Sequence, residues 1–402
     1  MSGCVTIELT PLGLRLDAHR GTQLQDLLAL HGVEFPCGGA GTCGGCRVRV
    51  IEGDLPIDPE DERVFTGDEL AAGWRLACRA RVAGSVRLEV GQWTMSVLGD
   101  SAPLEAGGAD GLGIAIDLGT TTIAAQLLDL ATAEVLAVRT CLNPQAAFGA
   151  DIMTRVRFAL TDARLTASIR EFTGSLIADL AAGHASGIVR VVIVGNTVMH
   201  HLFAGFSVEP LTHVPFESSA GCEVSFTSSQ LGWALPDDCQ IRFLGCLGGF
   251  VGSDILAGVL ATGMPRADRL TALIDLGTNG EIALGNREGI TCASAAAGPA
   301  FEAGCIRAGM RATTGAIWRV AAPGGALECA VIGGGAPRGI CGSGLIDAVS
   351  AGLETGAILP SGRLANGRRE FPLAPPVVLT QGDIRELQLA KAAIASGLRI
   401  LL

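Results

Sequence analysis

Four cysteines near the amino terminus have the spacing of an iron–sulfur site. Cys37, Cys43 and Cys46 lie in one glycine-rich loop, FPCGGAGTCGGC, and Cys78 follows in the segment RLACRA. A [2Fe–2S] cluster needs four ligands around its two irons, and three thiolates in one loop with a fourth returning later supply them. Glycines let this loop adopt positive φ angles and approach the sulfurs; they are Gly38, Gly39, Gly41, Gly44 and Gly45.

Zinc and disulfide bonds are the alternative uses of such cysteines. Zinc sites of this kind usually contain two C-x2-C pairs, whereas Cys78 stands alone. Disulfides need an oxidising compartment, and the opening MSGCVTIELTPLGL lacks the charged and apolar regions of a signal peptide. The [2Fe–2S] cluster in a reducing cytoplasm is therefore the favoured interpretation.

The elements around these cysteines must bring them together. Residues 4–16 read as two short alternating strands, residues 22–32 as a short helix, and residues 47–53 as a strand. This order resembles that of β-grasp ferredoxins with C-x5-C-x2-C spacing. An acidic stretch follows, which is either a docking face for an electron-transfer partner or a solvated loop; its acids include Asp58, Glu60, Asp61 and Glu62.

Composition limits the other function classes. A chain of 402 residues is too long for one domain, and a net charge of −11 argues against a nucleic-acid partner. No uncharged apolar run is long enough to predict a membrane span. Lys391 is the only lysine, which excludes P-loop chemistry. The remaining cysteines are expected to be small buried hydrophobes; they are Cys4, Cys141, Cys222, Cys239, Cys246, Cys292, Cys305, Cys329 and Cys341.

A repeated motif follows a small, glycine-rich segment at 99–112. That segment reads as a flexible linker of about 20 Å r.m.s., from which the ferredoxin-like head could swing. The motif IDLGT then occurs at 116–120 and again at 274–278. In each copy a strand ends at an Asp and turns through Gly and Thr into a second strand. Such a turn exposes backbone N–H groups that can bind phosphate, and the Asp can bind Mg²⁺. The alternative to a phosphate-binding loop is an ordinary hairpin turn.

Three further segments read as strand, turn and helix, at residues 189–205, 242–260 and 331–356. They predict an α/β body after the linker. His200 and His201 invite a metal-ligand interpretation, but consecutive helical residues point in different directions, so a packing role is favoured.

The paired motifs resemble the actin/sugar-kinase/Hsp70-like ATPases, in which each half carries one phosphate loop. Together with the cysteine-rich head and the segments VGNTVMHHL, IDLGTNGEI and GGGAPRGICGSGLID, the whole chain resembles the reductive activators of corrinoid-dependent enzymes. The resemblance implies an α/β multidomain protein: a β-grasp [2Fe–2S] ferredoxin followed by duplicated actin-like (RNase H-like) α/β domains. The expected divisions are a ferredoxin domain at 1–98, a linker at 99–112, a first actin-like domain at 113–187 and a second at 188–402.

The resemblance also implies cofactors, site residues and partners. Besides the [2Fe–2S] cluster, it implies ATP and Mg²⁺. The cluster would be held by Cys37, Cys43, Cys46 and Cys78. The first phosphate loop would be Asp117, Gly119, Thr120, Thr121 and Thr122. The second would be Asp275, Gly277, Thr278, Asn279, Gly280 and Glu281. The expected partners are a corrinoid protein or corrinoid-dependent methyltransferase and an upstream electron donor. Neither nucleic acid nor a membrane is expected as a partner, and a homodimer is possible.

The family resemblance leads to one function and two alternatives. Family members reduce Co(II) corrinoid proteins to Co(I) with the help of ATP. They also continue past the point corresponding to Leu402 with a strand and an AGGFG-type turn that resembles an adenosine motif. The resemblance therefore implies an incomplete second domain, either because the gene is truncated or split or because this protein has lost part of its nucleotide pocket, and weak ATP binding. A plain ferredoxin-type carrier that serves a methyltransferase or demethylase, with the body as a docking module, is the first alternative. A small-molecule kinase is the second, although kinases have no use for an iron–sulfur head.

Overall fold

The computed structural model describes most of the chain and divides it into two compact units. The described residues are 4–10, 14–29, 33, 41, 46–90, 108–145, 152–181, 183–217, 219–277, 279–313 and 315–402. The first unit draws on residues 1–96, 276–279 and 296–393, and the second on residues 97–275, 280–295 and 394–402.

Strands and helices make up much of the described chain. Up to residue 90 they are β1 (Cys4–Thr10), β2 (Leu14–His19), α1 (Leu24–Ala29), β3 (Arg47–Glu52), α2 (Pro59–Val64), α3 (Gly67–Ala71), β4 (Trp74–Leu76) and β5 (Val86–Val90). From 112 to 261 they are β6 (Leu112–Leu118), β7 (Thr122–Asp129), β8 (Val135–Leu142), α4 (Ile152–Ala159), α5 (Arg164–Leu180), β9 (Ile188–Val194), α6 (Thr197–Ala204), β10 (Val224–Phe226), α7 (Ser228–Leu231), β11 (Gln240–Phe243) and α8 (Ser253–Ala261). The rest are β12 (Thr271–Leu276), β13 (Gly280–Asn286), β14 (Gly289–Ala295), β15 (Ala316–Ala321), β16 (Glu328–Val331), β17 (Gly339–Ile340), α9 (Gly342–Glu354), β18 (Glu370–Ala374), β19 (Val377–Thr380) and α10 (Gln381–Leu401).

The amino-terminal part of the first unit is a five-stranded sheet in the order β2-β1-β5-β3-β4. Strands β1 and β5 are parallel, while the β1–β2, β3–β4 and β3–β5 pairs are antiparallel. Alternation along β1 buries Ile7 and Leu9 completely, and α1 contributes Leu24 and Leu28 to the same buried set. The predicted hairpin, helix and strand are confirmed, as is the β-grasp ferredoxin class.

The second unit contains a six-stranded sheet in the order β10-β11-β9-β6-β7-β8. Strands β6, β7 and β8 form an antiparallel meander, and β9 and β11 join β6 in parallel. This is the strand order of the RNase H-like half predicted from the sequence. Its core is aliphatic and aromatic, with Ile116, Ile193 and Phe243 almost fully buried. Because β9 begins at Ile188 and pairs with β6, the sheet spans the predicted domain boundary at residue 187.

The second copy of the repeat lies in the three-stranded sheet β12-β13-β14. Both IDLGT motifs therefore occupy a strand–turn–strand, as predicted. On β12 the side chains of Ile274 and Leu276 are exposed. The end of α10 packs closely on this sheet, since a Cβ at Gly397 would lie 2.8 Å from the Cδ1 atom of Ile282.

The carboxy-terminal part of the first unit contains the sheet β16-β15-β17, the hairpin β18–β19 and helix α9. The predicted strand, glycine loop and helix over 331–356 are confirmed, with the short strand β17 added inside the loop. Gly333, Gly334 and Gly335 all have positive φ there.

Within the first unit, Arg338 contacts the amino-terminal sheet region. Its Nη2 atom lies 3.0 Å from Oε1 of Glu69, which also accepts from Nη2 of Arg47 at 2.9 Å. The guanidinium of Arg47 lies 4.7 Å from the Trp74 ring centroid and 5.4 Å from that of Phe65. We call Arg47, Glu69 and Arg338 the Arg–Glu–Arg clamp. It joins residues that are 269 positions apart.

Some predictions about single residues are corrected and others confirmed. Cys4, Cys222 and Cys305 are exposed and so are not buried hydrophobes. His200 and His201 are fully buried in α6, and each has one ring nitrogen bonded to a backbone carbonyl, which confirms the packing interpretation. In the described part of the chain, no helix has the length and apolar character needed to cross a bilayer.

Candidate functional site

Two of the four predicted cluster ligands lie at one end of the antiparallel pair β3–β4. Arg47 pairs with Leu76 there, so Cys46 and Cys78 flank the same end. The N–H of Ala77 donates to the carbonyl of Cys46 at 3.0 Å, and both cysteines are almost fully buried. Cys37 and Cys43 lie outside the described residues, as do the loop glycines other than Gly41.

Buried polar groups position the segment that carries Cys78. The Nε2 atom of Gln23 donates to the carbonyl of Cys78 at 2.9 Å. Oδ1 of Asp61 accepts from the N–H of Leu76 at 2.7 Å, and Nε of Arg75 donates to the carbonyl of Leu55 at 2.9 Å. These contacts hold Arg75 and Leu76 of strand β4 and the carbonyl of Cys78, so the return of the fourth cysteine is set by the fold.

Asp61 is a structural residue, which corrects part of the predicted acidic docking face. It is only 2% exposed and closes the capping box of α2 with Asp58. Desolvation raises the pKa of Asp61 above its usual value. Asp58 is paired with Arg79 at 3.5 Å and Glu60 with Arg63 at 3.0 Å, so these acids are partly neutralised as well.

The described part of this site fits a thiolate-bound cluster. Two buried thiols, those of Cys46 and Cys78, flank one end of the β3–β4 pair. Gly41 has a φ of +78°, and its backbone lies so close to Arg79 that a Cβ at this position would be 3.0 Å from the Cδ atom of Arg79. The described residues alone contain no group of three or more His, Cys, Asp or Glu side chains that could hold a metal ion. The predicted ligand set of Cys37, Cys43, Cys46 and Cys78 thus includes two cysteines that lie outside the described residues.

The first phosphate-loop candidate lies at an edge of the six-stranded sheet where three parallel strands end. Strands β6, β9 and β11 run in the same direction, and turns carrying Gly119, Gly195 and Gly252 follow them. Ligands of open α/β sheets bind outside the carboxyl ends of such strands.

Glycine is required where these turns touch. A Cβ at Gly119 would lie 2.4 Å from the carbonyl oxygen of Thr122, and one at Gly195 would lie 2.6 Å from that of Leu118. A Cβ at Gly252 would lie 2.3 Å from the carbonyl oxygen of Gly195. All three distances are to backbone oxygens, which cannot move aside without breaking the turns. We call these three contacting segments the turn cluster.

Acidic side chains from both IDLGT motifs influence one another in the second unit. Desolvation, followed by the charges of Asp254 and Asp275, raises the pKa of Asp117 to about 7. Desolvation and the charges of Asp275 and Asp254 likewise raise the pKa of Glu281 to about 7. The pKa values of Asp254 and Asp275 are also raised, with desolvation as the main cause. Asp254 was not identified from the sequence; the only signal was an acid in the first turn of α8, after the glycines of the preceding turn.

These carboxylates fit a hydrated divalent cation. Asp117 and Asp275 keep exposed atoms through which an ion with its waters can reach them, although nearby protein atoms desolvate their carboxylates. No three of the described acids are close enough to hold a metal directly. Mg²⁺ usually keeps several waters and is bound through one or two carboxylates with substrate phosphates, which matches this arrangement.

The second predicted loop forms a tight turn between β12 and β13. The N–H of Gly277 donates to the carbonyl of Asn279 at 3.1 Å, and Gly280 is buried at the start of β13. Glu281 accepts from the hydroxyl of Ser294 at 3.2 Å. Thr278 lies outside the described residues. In the first loop, Thr121 accepts a backbone hydrogen bond from Asn143 at 2.9 Å, and Thr122 opens β7.

Comparison with known families assigns almost the entire chain to three models in order. Residues 7–83 match a 2Fe-2S iron-sulfur cluster binding domain. Residues 112–267 match the RACo middle region, and residues 269–402 match the C-terminal domain of RACo, the ASKHA domain.

Individual proteins show the same likeness. The corrinoid activation enzyme RamQ of Eubacterium limosum is 34% identical over 71% of this chain and 53% of its own length. The [Co(II) methylated amine-specific corrinoid protein] reductase of Methanosarcina barkeri is 29% identical over 71% of this chain and 58% of its own length. The chain thus spans little more than half the length of these curated relatives. A solved structure of a reductive activator for corrinoid, iron-sulfur protein is 26% identical, with a TM-score of 0.62, and covers 99% of this chain and 83% of that one.

Proposed function

We propose that this chain, which carries the iron–sulfur domain, middle region and ASKHA domain of the reductive activators of corrinoid proteins, donates electrons to a Co(II) corrinoid protein and returns it to Co(I) with the help of ATP. The observation that carries the proposal is the succession of the three matching domains along one chain. A redox cofactor and a nucleotide-binding fold are thereby joined in one polypeptide.

Each module has a distinct task in this proposal. Cys37, Cys43, Cys46 and Cys78 hold the cluster, which when bound supplies one-electron transfer at a low potential, near −400 mV in plant-type ferredoxins. An upstream donor must restore each electron delivered, and thiolate ligands require a reducing compartment, for which we propose the cytoplasm. The domain divisions at residues 98 and 112 remain part of the proposal, whereas one sheet continues across the predicted division at residue 187.

The ATPase-like module binds the nucleotide at the turn cluster. The loops beginning at Asp117 and Asp275 approach the phosphates with backbone N–H groups and hydroxyls. The carboxylates of both motifs hold hydrated Mg²⁺, which in turn keeps them ionised. The bound cation would lessen the repulsion between these carboxylates, and that free energy would be available to favour one arrangement of the protein over another.

The test is an anaerobic assay with the full chain. The protein is reduced, freed of excess reductant and mixed with a Co(II) corrinoid protein, with Mg·ATP, with Mg·ADP or without nucleotide, while the Co(I) absorption band is followed. The proposal expects the band to form with Mg·ATP, and Asp117→Ala and Asp275→Ala to abolish this dependence on ATP. An equal band in all three mixtures would instead identify a plain electron carrier, and the absence of a band with every corrinoid partner would refute electron donation.

A further inference from the structure

We propose that Asn196 is a positioning residue of the first phosphate loop, whose side-chain amide sets the hydroxyl of Thr120 so that this hydroxyl donates its hydrogen to a phosphate oxygen of the bound nucleotide. The inference rests on the nucleotide site of the proposed function. It assigns a role to a residue outside both IDLGT motifs.

The helix that follows Asn196 fixes the orientation of its side-chain amide. Asn196 is the N-cap of α6, with an extended backbone, and its Oδ1 atom accepts from the N–H of Met199 at 3.0 Å. Because a backbone N–H can only donate, the atom that faces it must be the amide oxygen. The remaining amide atom, Nδ2, therefore faces Oγ1 of Thr120 at 2.7 Å.

That geometry determines what the Thr120 hydroxyl can do. An amide NH2 group only donates, so Oγ1 of Thr120 is the acceptor in this hydrogen bond. The hydrogen of the hydroxyl remains to be donated elsewhere, and no acceptor for it is found among the described residues. Thr120 is half-buried, so a ligand can reach it.

The carbonyl groups of the same loop are bonded to donors within the protein. The carbonyl of Gly119 accepts from Nδ2 of Asn143 at 2.8 Å, and that of Thr120 accepts from Nη1 of Arg155 at 2.6 Å. The carbonyl of Thr121 accepts from the backbone N–H of Asn143 at 2.9 Å. Three successive carbonyl oxygens are thus engaged, which lessens the repulsion they would exert on an anion.

The chemistry of these groups favours an oxyanion as the ligand. Arg155 is only 1% exposed and contributes a buried positive charge next to the loop. The Thr120 hydroxyl offers a hydrogen, which an oxyanion can accept and a cation cannot. The phosphate chain of a nucleotide supplies acceptor oxygens and negative charge, so it suits a hydroxyl donor close to a buried guanidinium.

The first arm of the test reverses the hydrogen bond without removing the helix cap. Asp is as good an N-cap as Asn, so Asn196→Asp keeps the cap of α6. Its second carboxylate oxygen would take the hydrogen of Thr120. Calorimetric titration of the full chain with Mg·ATP and with magnesium tripolyphosphate should show both affinities falling on the order of tenfold or more. The control Asn286→Asp adds the same charge at the β13–β14 turn and should leave both affinities unchanged.

The second arm separates positioning from simple structural support by a double-mutant cycle. Asn196→Ser keeps a capping hydroxyl but loses the amide that reaches Thr120, and Thr120→Val removes the hydroxyl while keeping the shape. If Asn196 acts through Thr120, Asn196→Ser weakens tripolyphosphate binding in the wild-type background and has no further effect beside Thr120→Val. Equal losses in both backgrounds, or unchanged affinities in Asn196→Asp, would overturn the assignment.

Measuring how the wild-type chain binds Mg·ATP and magnesium tripolyphosphate distinguishes a failure of this inference from a failure of the proposed function. A wild-type chain that binds neither ligand would overturn both the inference and the nucleotide site. Binding with the expected mutant pattern, but without formation of Co(I) in the activation assay, would support the inference and refute electron donation alone.

Discussion

At the scale of single residues, the acidic side chains of the second unit are arranged at the expense of stability. Asp117, Asp254, Asp275 and Glu281 all have raised pKa values, and mutual repulsion contributes to most of these shifts. A fold selected only for stability would separate such charges or neutralise them with arginine. Several mutually repelling carboxylates are what a site for a divalent cation and phosphates requires.

Neutralising Asp117 should stabilise the ligand-free protein at alkaline pH. Its pKa in the folded protein, about 7, lies above the ordinary 3.8, so the folded form binds the proton more tightly. The associated stability is complete below pH 3.8 and is lost as pH rises through 7. Thermal unfolding should therefore show Asp117→Asn melting above wild type at pH 8, with the difference vanishing near pH 4.

A matched control and the ligand complete this prediction. Asp162 is half-buried, and its side-chain hydrogen bond from Arg164 lowers its pKa, so Asp162→Asn should not melt above wild type at pH 8. Mg·ATP should raise the melting temperature of wild type but not that of Asp117→Asn. If Asp117→Asn melted below wild type at pH 8, the charge would be stabilising and this account of the site would be wrong.

The repeated IDLGT motif made some site residues predictable from the sequence, whereas site residues outside the repeat were not predicted. Asp117 and Asp275 belong to two copies of one five-residue motif, which a single sequence can reveal. No repeated motif contains Asp254, Arg155 or Asn196. These residues lie in segments that approach the first motif only in the folded sheet. No local pattern distinguishes Arg155 from the other arginines; its burial and its bond to Thr120 do so.

At the scale of secondary-structure elements, the turn cluster depends on backbone approaches that only glycine permits. The hydroxyl of Ser253 accepts from the N–H of Gly195 at 3.1 Å, and the N–H of Ser253 donates to the carbonyl of Gly195 at 2.9 Å. The start of α8 is thereby joined to the turn between β9 and α6. The hydrogen bond between Asn196 and Thr120 then links that turn to the first phosphate loop.

Adding one methyl group at this contact should disturb both stability and nucleotide binding. In Gly252→Ala the new Cβ would meet backbone atoms of Gly195 and Asn196 within 2.4 Å. We expect a loss of about 1–3 kcal/mol in the free energy of unfolding and weaker binding of Mg·ATP, measured by denaturant titration and calorimetry. Gly248→Ala, in the same turn but with open space around its Cβ, is the control and should be tolerated. Equal behaviour of the two variants would contradict the packing described.

The elements themselves were largely predictable because their signals are local. Alternation identified β1 and β2, an apolar run ending at Asp117 identified β6, and the glycine turns marked the boundaries of β9–α6 and of the segment before α8. The short strand β17 was missed, since two residues carry no periodicity and pair with β15 only in the folded chain. The role of Asp61 was missed for a similar reason: its capping bond is local, but its bond to Leu76 crosses fifteen residues.

At the scale of the whole molecule, the Arg–Glu–Arg clamp joins distant parts of the first unit. Desolvation works to raise the pKa of Glu69, but the N–H of Thr66 and the guanidinium groups of Arg338 and Arg47 outweigh it and hold that pKa at about 2. Arg47 follows the predicted ligand Cys46, and Arg338 follows the glycine turn at 333–335. The clamp therefore connects the iron–sulfur region to the glycine turn of the ASKHA domain. No local sequence pattern indicates this contact, because its partners meet only in the folded chain.

Removing the negative charge from the clamp should destabilise the protein near neutral pH. Gln keeps the capping box at Thr66, so Glu69→Gln isolates the effect of charge, which we expect to lower the free energy of unfolding by about 1–2 kcal/mol. Since the folded-state pKa is depressed, the stabilisation is present above pH 4.5 and is lost as pH falls towards 2. Glu60→Gln, which breaks the pair with the largely exposed Arg63, is the control. Denaturant titrations giving the same result for both variants at pH 7 would argue against the clamp.

The most direct test is the metal content of the full chain purified without oxygen. The account predicts about two irons and two acid-labile sulfides per chain, with a reduced-state electron paramagnetic resonance signal. These should be lost in Cys78→Ser and kept in Cys141→Ser, where the substituted thiol is buried in the other unit. Bound zinc without sulfide, or a cluster that survives Cys78→Ser, would contradict it.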